Sequence, residues 1–315
     1  MIIKGVNVDA LPPQFQGCVQ GRTLIIDGDG PAYSISATVK RLDTALRRFQ
    51  QEVLSLIFLT RAEDAIVHFT ASKSHKAGRF QIKAVKPYQG QRSGKSKPPL
   101  LEPLRQAAAL EENWLPEFRV VMNHILEADD AMMQDAYRLK ENGIIWSDDK
   151  DLRMTPYLYW DRKTNTLQQS EPFGWLKMEY TPAGNPKLIG RGPLFFWAQM
   201  LMGDTADFIQ GILRYNGRLC GPAAAYDILR NCADESEAAN IVLSGYREID
   251  QNPLPEGWLL WLLRWPGDNF WDYVTSLNLT EENRSYLDNC RARDWFITQD
   301  SAQHDAQLGC EASED

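Results

Sequence analysis

Carboxylates come in close groups at four places in this chain: Asp27-Gly28-Asp29, Glu127-Ala128-Asp129-Asp130, Asp148-Asp149-Lys150-Asp151 and Asp204-Thr205-Ala206-Asp207. Two of the groups follow short apolar runs, one directly after Leu24-Ile25-Ile26 and one a single residue after Ile144-Ile145-Trp146. The carboxyl ends of strands are where an open α/β sheet gathers its ligands. The two-residue spacing of Glu127 and Asp129, and of Asp149 and Asp151, turns both side chains the same way in extended backbone. The three-residue spacing of Asp204 and Asp207 suits one face of a helix. Taken singly, each group has an ordinary use at a helix N-cap or turn. Taken jointly, that much like charge in one place requires cations, and oxygen-only donors favour Mg²⁺ or Mn²⁺.

The elements that must position these acids can be read from the apolar pattern. Thr23–Ile26 reads as a buried strand ending at Asp27. Val39, Leu42, Leu46, Phe49, Val53 and Leu56 keep helical spacing within a predicted helix over 35–58. Further strands are expected at 64–69, 118–122 and 144–146, and further helices at 100–112 and 128–140. Residues 157–190 alternate and carry turn residues, so hairpins are expected there. From Pro193 onward the chain reads as mainly helical. Alternating strands and helices imply an α/β fold with a mostly parallel central sheet flanked by helices, followed by a helical C-terminal part. The aromatic run Trp258, Trp261, Trp265, Phe270, Trp271 and Tyr273 has the spacing of a packed core rather than of a base-stacking platform.

The chain of 315 residues carries a net charge of −8, which at first sight opposes a polyanionic partner. Distribution matters more than the total. Lys73, Lys76, Arg79, Lys83, Lys86, Arg92, Lys95, Lys97 and Arg105 face one acid, Glu102, in a stretch that is otherwise rich in Gly, Ser and Pro. That stretch, about 73–105, is expected to be a surface loop or arch. Cys18, Cys220, Cys232, Cys290 and Cys310 form no CxxC pair and the four histidines are scattered, which argues against zinc and a disulfide framework. No run approaches the roughly 20 apolar residues of a membrane span. The N-terminus has no signal-peptide pattern, so the expectation is a cytoplasmic monomer with no membrane partner.

The order of these phrases resembles the flap endonuclease / 5′→3′ exonuclease family, a PIN-like nuclease fold, and within it the exonucleases of T7-like phages. The phrases are LIIDGDG at 24–30, YQGQR at 88–92, EADD at 127–130, IIWSDDKDL at 144–152, GDTADFIQGI at 203–212 and GPAAAYDIL at 221–229. The resemblance spans about residues 22–230. It implies a two-metal hydrolysis of phosphodiesters, with two Mg²⁺ or Mn²⁺ as cofactors. Asp27, Glu127, Asp129, Asp130, Asp149, Asp151, Asp204 and Asp207 fall on the family's metal-site acids. Glu127, Asp129 and Asp149 would serve mainly the first ion, and Asp151, Asp204 and Asp207 the second, with Asp27 acting nearby. Arg92 and Lys86, with Asp27, would act on the scissile phosphate. Lys83, Lys86, Tyr88, Arg92, Lys95, Lys97 and Gly221 would contact DNA bearing 5′ ends, nicks or flaps. A helix–turn–helix at about 203–232 would grip the duplex backbone, with K⁺ held by loop carbonyls. The implied organisation is a nuclease core over 1–195, a helical region over 196–297 and a disordered tail over 298–315.

Three positions depart from the pattern. Ala71 stands where the T7-like form has an acid, Gln89 where the family's Tyr-Lys-x-x-Arg has lysine, and Ala223 where a lysine often follows Gly-Pro. Loss of the acid would weaken the first ion's site. Loss of the lysine would slow chemistry unless Lys86 or Lys95 supplies the charge. The same losses suit a catalytically weak DNA-junction binding protein, and the acid cluster alone would also suit a PIN-type RNase.

Overall fold

The computed structural model describes residues 17–296 apart from 93, 95, 115, 162 and 163, together with two short strands near the N-terminus. The tail expected over 298–315 and the candidate Lys95 lie outside the described residues. The chain forms two units. The first comprises Met1–Ala77, Lys95–Gly174 and Leu262–Asp268, and the second Gly78–Gly94, Trp175–Trp261 and Asn269–Asp315.

In chain order the first unit holds β1 (Ile2–Ile3), β2 (Val6–Asn7), β3 (Thr23–Asp27), α1 (Asp29–Thr38), α2 (Leu42–Thr60), β4 (Asp64–Thr70), α3 (Leu101–Ala108), β5 (Phe118–Asn123), α4 (Ala128–Leu139), β6 (Gly143–Trp146), β7 (Leu158–Asp161) and β8 (Thr166–Gln168). The main sheet has the order β5-β4-β3-β6-β7-β8. Every neighbouring pair is parallel except β7 with β8, which closes one edge as an antiparallel hairpin. This is the mostly parallel, helix-flanked sheet that the sequence implied. Leu24, Ile26, Val67, Phe69, Ile144 and Trp146 share a core with Phe49, Val53, Leu56 and Leu104 from α2 and α3. Strand alternation sends Ile25, Ile66 and Ile145 to the opposite face, and α4 packs on β3, β4 and β6. After β3 the chain steps to β4 on one side, and β6 later returns to the other side of β3. The carboxyl ends of β3 and β6 therefore flank a topological switch point, where such sheets form their binding crevice.

The single helix expected over 35–58 is two helices. Val39 and Arg41 are extended, with φ/ψ of −118/145 and −117/134, and they separate α1 from α2. The apolar spacing runs unbroken across this joint, so periodicity could not reveal it. The true start of α1, Asp29, follows β3 after a single residue, Gly28. A Cβ at Gly28 would lie 2.6 Å from the Phe69 ring, so the tight exit from β3 needs glycine.

The second unit holds the antiparallel hairpin β9 (Trp175–Tyr180) and β10 (Pro186–Arg191), then α5 (Gly192–Met202), α6 (Pro222–Leu229), α7 (Glu235–Glu248), α8 (Leu254–Leu260), α9 (Phe270–Ser276) and α10 (Glu281–Arg291). Helix α5 is apolar on all sides and is buried almost throughout. Its Phe196 and Trp197 meet Trp261, Phe270 and Tyr273 in one aromatic cluster, with Trp261 stacked on Tyr273 at 4.0 Å. The core reading of the aromatic run holds for these three residues. Trp265 differs: it is 46 % exposed, with the Arg264 guanidinium 4.1 Å from its ring centre. Gly78–Gly94 is anchored in this unit by Arg79 Nη2 donating to Trp261 O at 2.8 Å and by the Lys83–Asp294 ion pair at 2.6 Å. Among the described residues no helix is long and apolar enough to cross a membrane.

Candidate metal centre

Three elements of the first unit deliver acids to the switch point. Asp27 is the last residue of β3, and Asp149 and Asp151 follow β6. Glu127 caps α4, and Asp129 and Asp130 lie in its first turn, where the helix dipole favours negative charge. Two hydrogen bonds hold the Asp27 carboxylate: Ser147 Oγ donates to Oδ2 at 2.9 Å and the Asp29 N–H donates to Oδ1 at 3.0 Å. The next residue is tied to β4, with Gly28 N–H donating to His68 O at 2.9 Å. Ser147 Oγ also accepts from Asp149 N–H at 2.9 Å, and Asp149 Oδ1 accepts from Asp151 N–H at 2.8 Å. One chain of hydrogen bonds thus joins the end of β3 to the loop after β6. A cavity of about 70 Å³ opens beside that loop, lined by Ser147, Asp148, Asp149, Arg153 and Asp161.

The electrostatics separate the acids. Burial, then the charge of Asp29 and more weakly that of Asp149, push the Asp27 carboxyl up to about 6, although the Ser147 and Asp29 hydrogen bonds pull it down. Burial, then Asp149, Asp27, Glu127 and Asp130, hold Asp129 well above the usual carboxylate range. A group in that condition either keeps a proton or needs a cation. Asp130 is fully buried, and it accepts Leu263 N–H at Oδ1 (3.1 Å) and Glu127 N–H at Oδ2 (3.4 Å). Those bonds give it a capping use. Asp29 is turned to Arg105 Nη2 at 2.7 Å and Thr70 N–H at 3.1 Å. Lys150 pairs with Asp151 at 3.3 Å and Lys76 with Glu127 at 3.0 Å.

Behind the acids, His68 of β4 meets Asp135 of α4 at 3.0 Å, pinning strand to helix. The sequence reading singled out neither this contact nor Ser147, Lys76 and Arg105 as site residues. Arg105 had a usable signal: it shares the inward face of α3 with Leu101, Leu104 and Ala108. A basic residue on an apolar face needs a buried acid. Ala71 is buried, and its N–H donates to Asn123 O at 2.9 Å.

In the second unit, Asp204 and Asp207 lie not on a helix but in the turn after α5. Gly203 has φ 73, and Asp204 and Ile209 exchange backbone hydrogen bonds of 2.9 and 2.7 Å. Helical spacing is therefore the wrong description of that pair. The 88–92 segment packs on the same turn. Gln89 Nε2 and Arg92 Nη2 both donate to Asp207 Oδ1, at 2.9 and 2.7 Å, and Gln89 N–H donates to Asp207 O at 2.9 Å. Lys86 Nζ lies 5.0 Å from the centre of the Phe208 ring, and Tyr88 is buried with its ring 5.7 Å from that of Phe80. Gly221 is the extended N-cap of α6, which begins with Pro222. Lys97 is exposed and belongs to the first unit.

A crystal structure of the bacteriophage T5 D15 protein co-crystallised with metal ions superposes with a TM-score of 0.53 over 85 % of this chain and 98 % of that one, at 14 % identity. A second, of the T5 D15 flap endonuclease in a pseudo-enzyme–product complex with DNA and metal ions, gives 0.51 over 85 % and 99 %, at 15 % identity. The chain has the flap endonuclease / 5′-exonuclease fold. No protein-family model matches it, and no curated protein does.

Proposed function

We propose that the protein is a divalent-metal-dependent nuclease acting on DNA as a 5′→3′ exonuclease with flap endonuclease activity. The observation that carries this reading is the cluster of Asp27, Asp129 and Asp149, whose mutual repulsion and burial raise the proton affinity of the first two. The donors are carboxylate oxygens, which fits Mg²⁺ or Mn²⁺. Asp27, Asp129 and Asp149 would hold one ion, with Glu127, the fourth acid assigned to it on motif order, beside them. Asp151, Asp204 and Asp207 are assigned to a second on motif order. The bound ions would supply Lewis-acid charge where phosphodiester hydrolysis builds negative charge on attacking and leaving oxygens. The protein's own part is positioning. Ser147 and the Asp29 N–H fix the Asp27 carboxyl, and Arg105 draws Asp29 aside. Arg92, Lys83, Lys86 and Lys97 offer phosphate contacts. The N–H groups at the start of α6, behind Gly221, suit a backbone phosphate, and K⁺ beside them is part of the proposal.

The fold supports the reading, as do the bound species named for the T5 D15 structures, which were obtained with metal ions and, in one case, with DNA. The test is cleavage of 5′-labelled duplex, nicked and flap DNA in Mg²⁺ or Mn²⁺, with Asp149→Ala/Asp151→Ala as the control. Metal-dependent cutting lost in the control is the expected result. DNA binding without cutting would select a junction-binding protein, and preferential cutting of single-stranded RNA a PIN-type RNase. Ala71→Asp is expected to raise the rate if the missing acid limits the site.

A further inference from the structure

Lys76 Nζ lies 3.0 Å from Glu127 Oε1, and both side chains are mostly buried, at 17 % and 12 % exposure. The backbone is built to bring this contact about. Ser74 Oγ donates to Leu126 O at 2.6 Å, His75 N–H to His124 O at 2.9 Å and Ala77 N–H to Ile125 O at 2.8 Å. Residues 74–77 are thus laid along 124–126, immediately before Glu127. Lys76 and Ala77 are left-handed, with φ of 49 and 53. Two adjacent non-glycine residues seldom adopt that conformation unless the surroundings impose it. Glu127 is fixed as well, since it forms the capping box of α4 with Asp130.

The basic groups of this unit take the acids one by one: Arg105 takes Asp29, Lys150 takes Asp151 and Lys76 takes Glu127. Among the described residues this leaves Asp27, Asp129 and Asp149 with no basic side chain paired to them. We propose that Lys76 is a resident cation of the cluster, neutralising Glu127 in place of a divalent ion and confining the first ion to Asp27, Asp129 and Asp149. The inference rests on the metal-site reading above. An ammonium tethered beside the cluster offsets one carboxylate permanently and repels any divalent ion that approaches Glu127. The consequence is a weaker, more selective ion site than the count of acids suggests.

The experiment is a Mn²⁺ titration of the full chain, following free Mn²⁺ by electron paramagnetic resonance and folding by circular dichroism. Lys76→Met is expected to tighten Mn²⁺ binding about tenfold, or to add one bound ion, because a competing positive charge is gone. Glu127→Gln keeps the helix cap and, with Lys76 intact, is expected to change affinity less than about threefold, whereas Asp149→Asn weakens it more than about tenfold. Unchanged or weaker binding in Lys76→Met, or a Glu127→Gln loss as large as that of Asp149→Asn, overturns the proposal. If the unaltered protein binds no Mn²⁺, the metal-site reading falls and this inference with it. If it binds Mn²⁺ but cuts no nucleic acid, only the nuclease reading falls.

Discussion

Gln89 Nε2 and Arg92 Nη2 converge on one oxygen, Asp207 Oδ1, at 2.9 and 2.7 Å. The residue that departs from the family's lysine is therefore engaged with one of the candidate acids. Arg92 is half-exposed, so its pair with Asp207 contributes at most about 1 kcal/mol to stability. Arg92→Ala is expected to leave the melting temperature within a few degrees. It should also weaken DNA binding and reduce the slope of log affinity against log salt by about one. An unchanged slope would make Arg92 a strut for Asp207 and not a phosphate contact.

Asp27 gives the metal-free protein a defined pH response. Its carboxyl is raised to about 6, first by burial and then by Asp29. The folded state thus holds that proton more tightly than the unfolded chain does. The contribution of this group to stability is greatest below about pH 4 and is lost as the pH rises from there to about 6, by up to roughly 2–3 kcal/mol. In chelator, Asp27→Asn should flatten this part of a denaturation-midpoint profile. Mn²⁺ binding competes with the same proton, so affinity should rise across the same window in the unaltered protein.

Glu256 supplies an independent case in the second unit. It is 1 % exposed, accepts Val85 N–H at 3.3 Å, and is raised to about 7 by burial. Stability should fall between about pH 4.5 and 7, by about 3 kcal/mol, and Glu256→Gln should remove the fall. Metal ions should not alter it, which separates it from Asp27. Denaturant midpoints at pH 5 and 8, with and without Mn²⁺, read both effects.

The turn bearing Asp204 and Asp207 depends on two glycines placed back to back. A Cβ on Gly203 would lie 2.4 Å from Ile209 O, and one on Gly211 would lie 2.5 Å from Gly203 N. Both residues are left-handed, with φ of 73 and 69. Gly203→Ala is expected to cost about 2–4 kcal/mol in thermal or chemical denaturation and to abolish cleavage. Full activity in a stably folded Gly203→Ala protein would separate this turn from the chemistry.

What could be read from the sequence was whatever depends on local period and composition. The strands before Asp27 and Asp149, the α4 start at Glu127 and the helical run after Pro193 all appear within a residue or two. The joint at Val39–Arg41 was hidden because the apolar spacing continues in phase across it. The turn at Asp204–Asp207 was hidden because three-residue spacing looks alike in a helix and in a tight loop. The hydrogen bonds and ion pairs that sort the acids could not be read at all. Ser147–Asp27 spans 120 positions and Arg105–Asp29 spans 76, and only the folded backbone brings such partners together.

The bond from Leu263 N–H to Asp130 Oδ1 joins residues 133 positions apart. On a ribosome adding about 5–20 residues per second, the stretch that supplies this donor is made roughly 7–27 s after the α4 start. The Gly78–Gly94 segment waits in the same way for Trp261, whose carbonyl receives Arg79. A nascent chain therefore carries Asp130 for most of synthesis without the Leu263 donor, whereas the Ser147–Asp27 bond can form as soon as β6 has been made. Completion of the α4 start should thus come late, as a property of the nearly finished polypeptide.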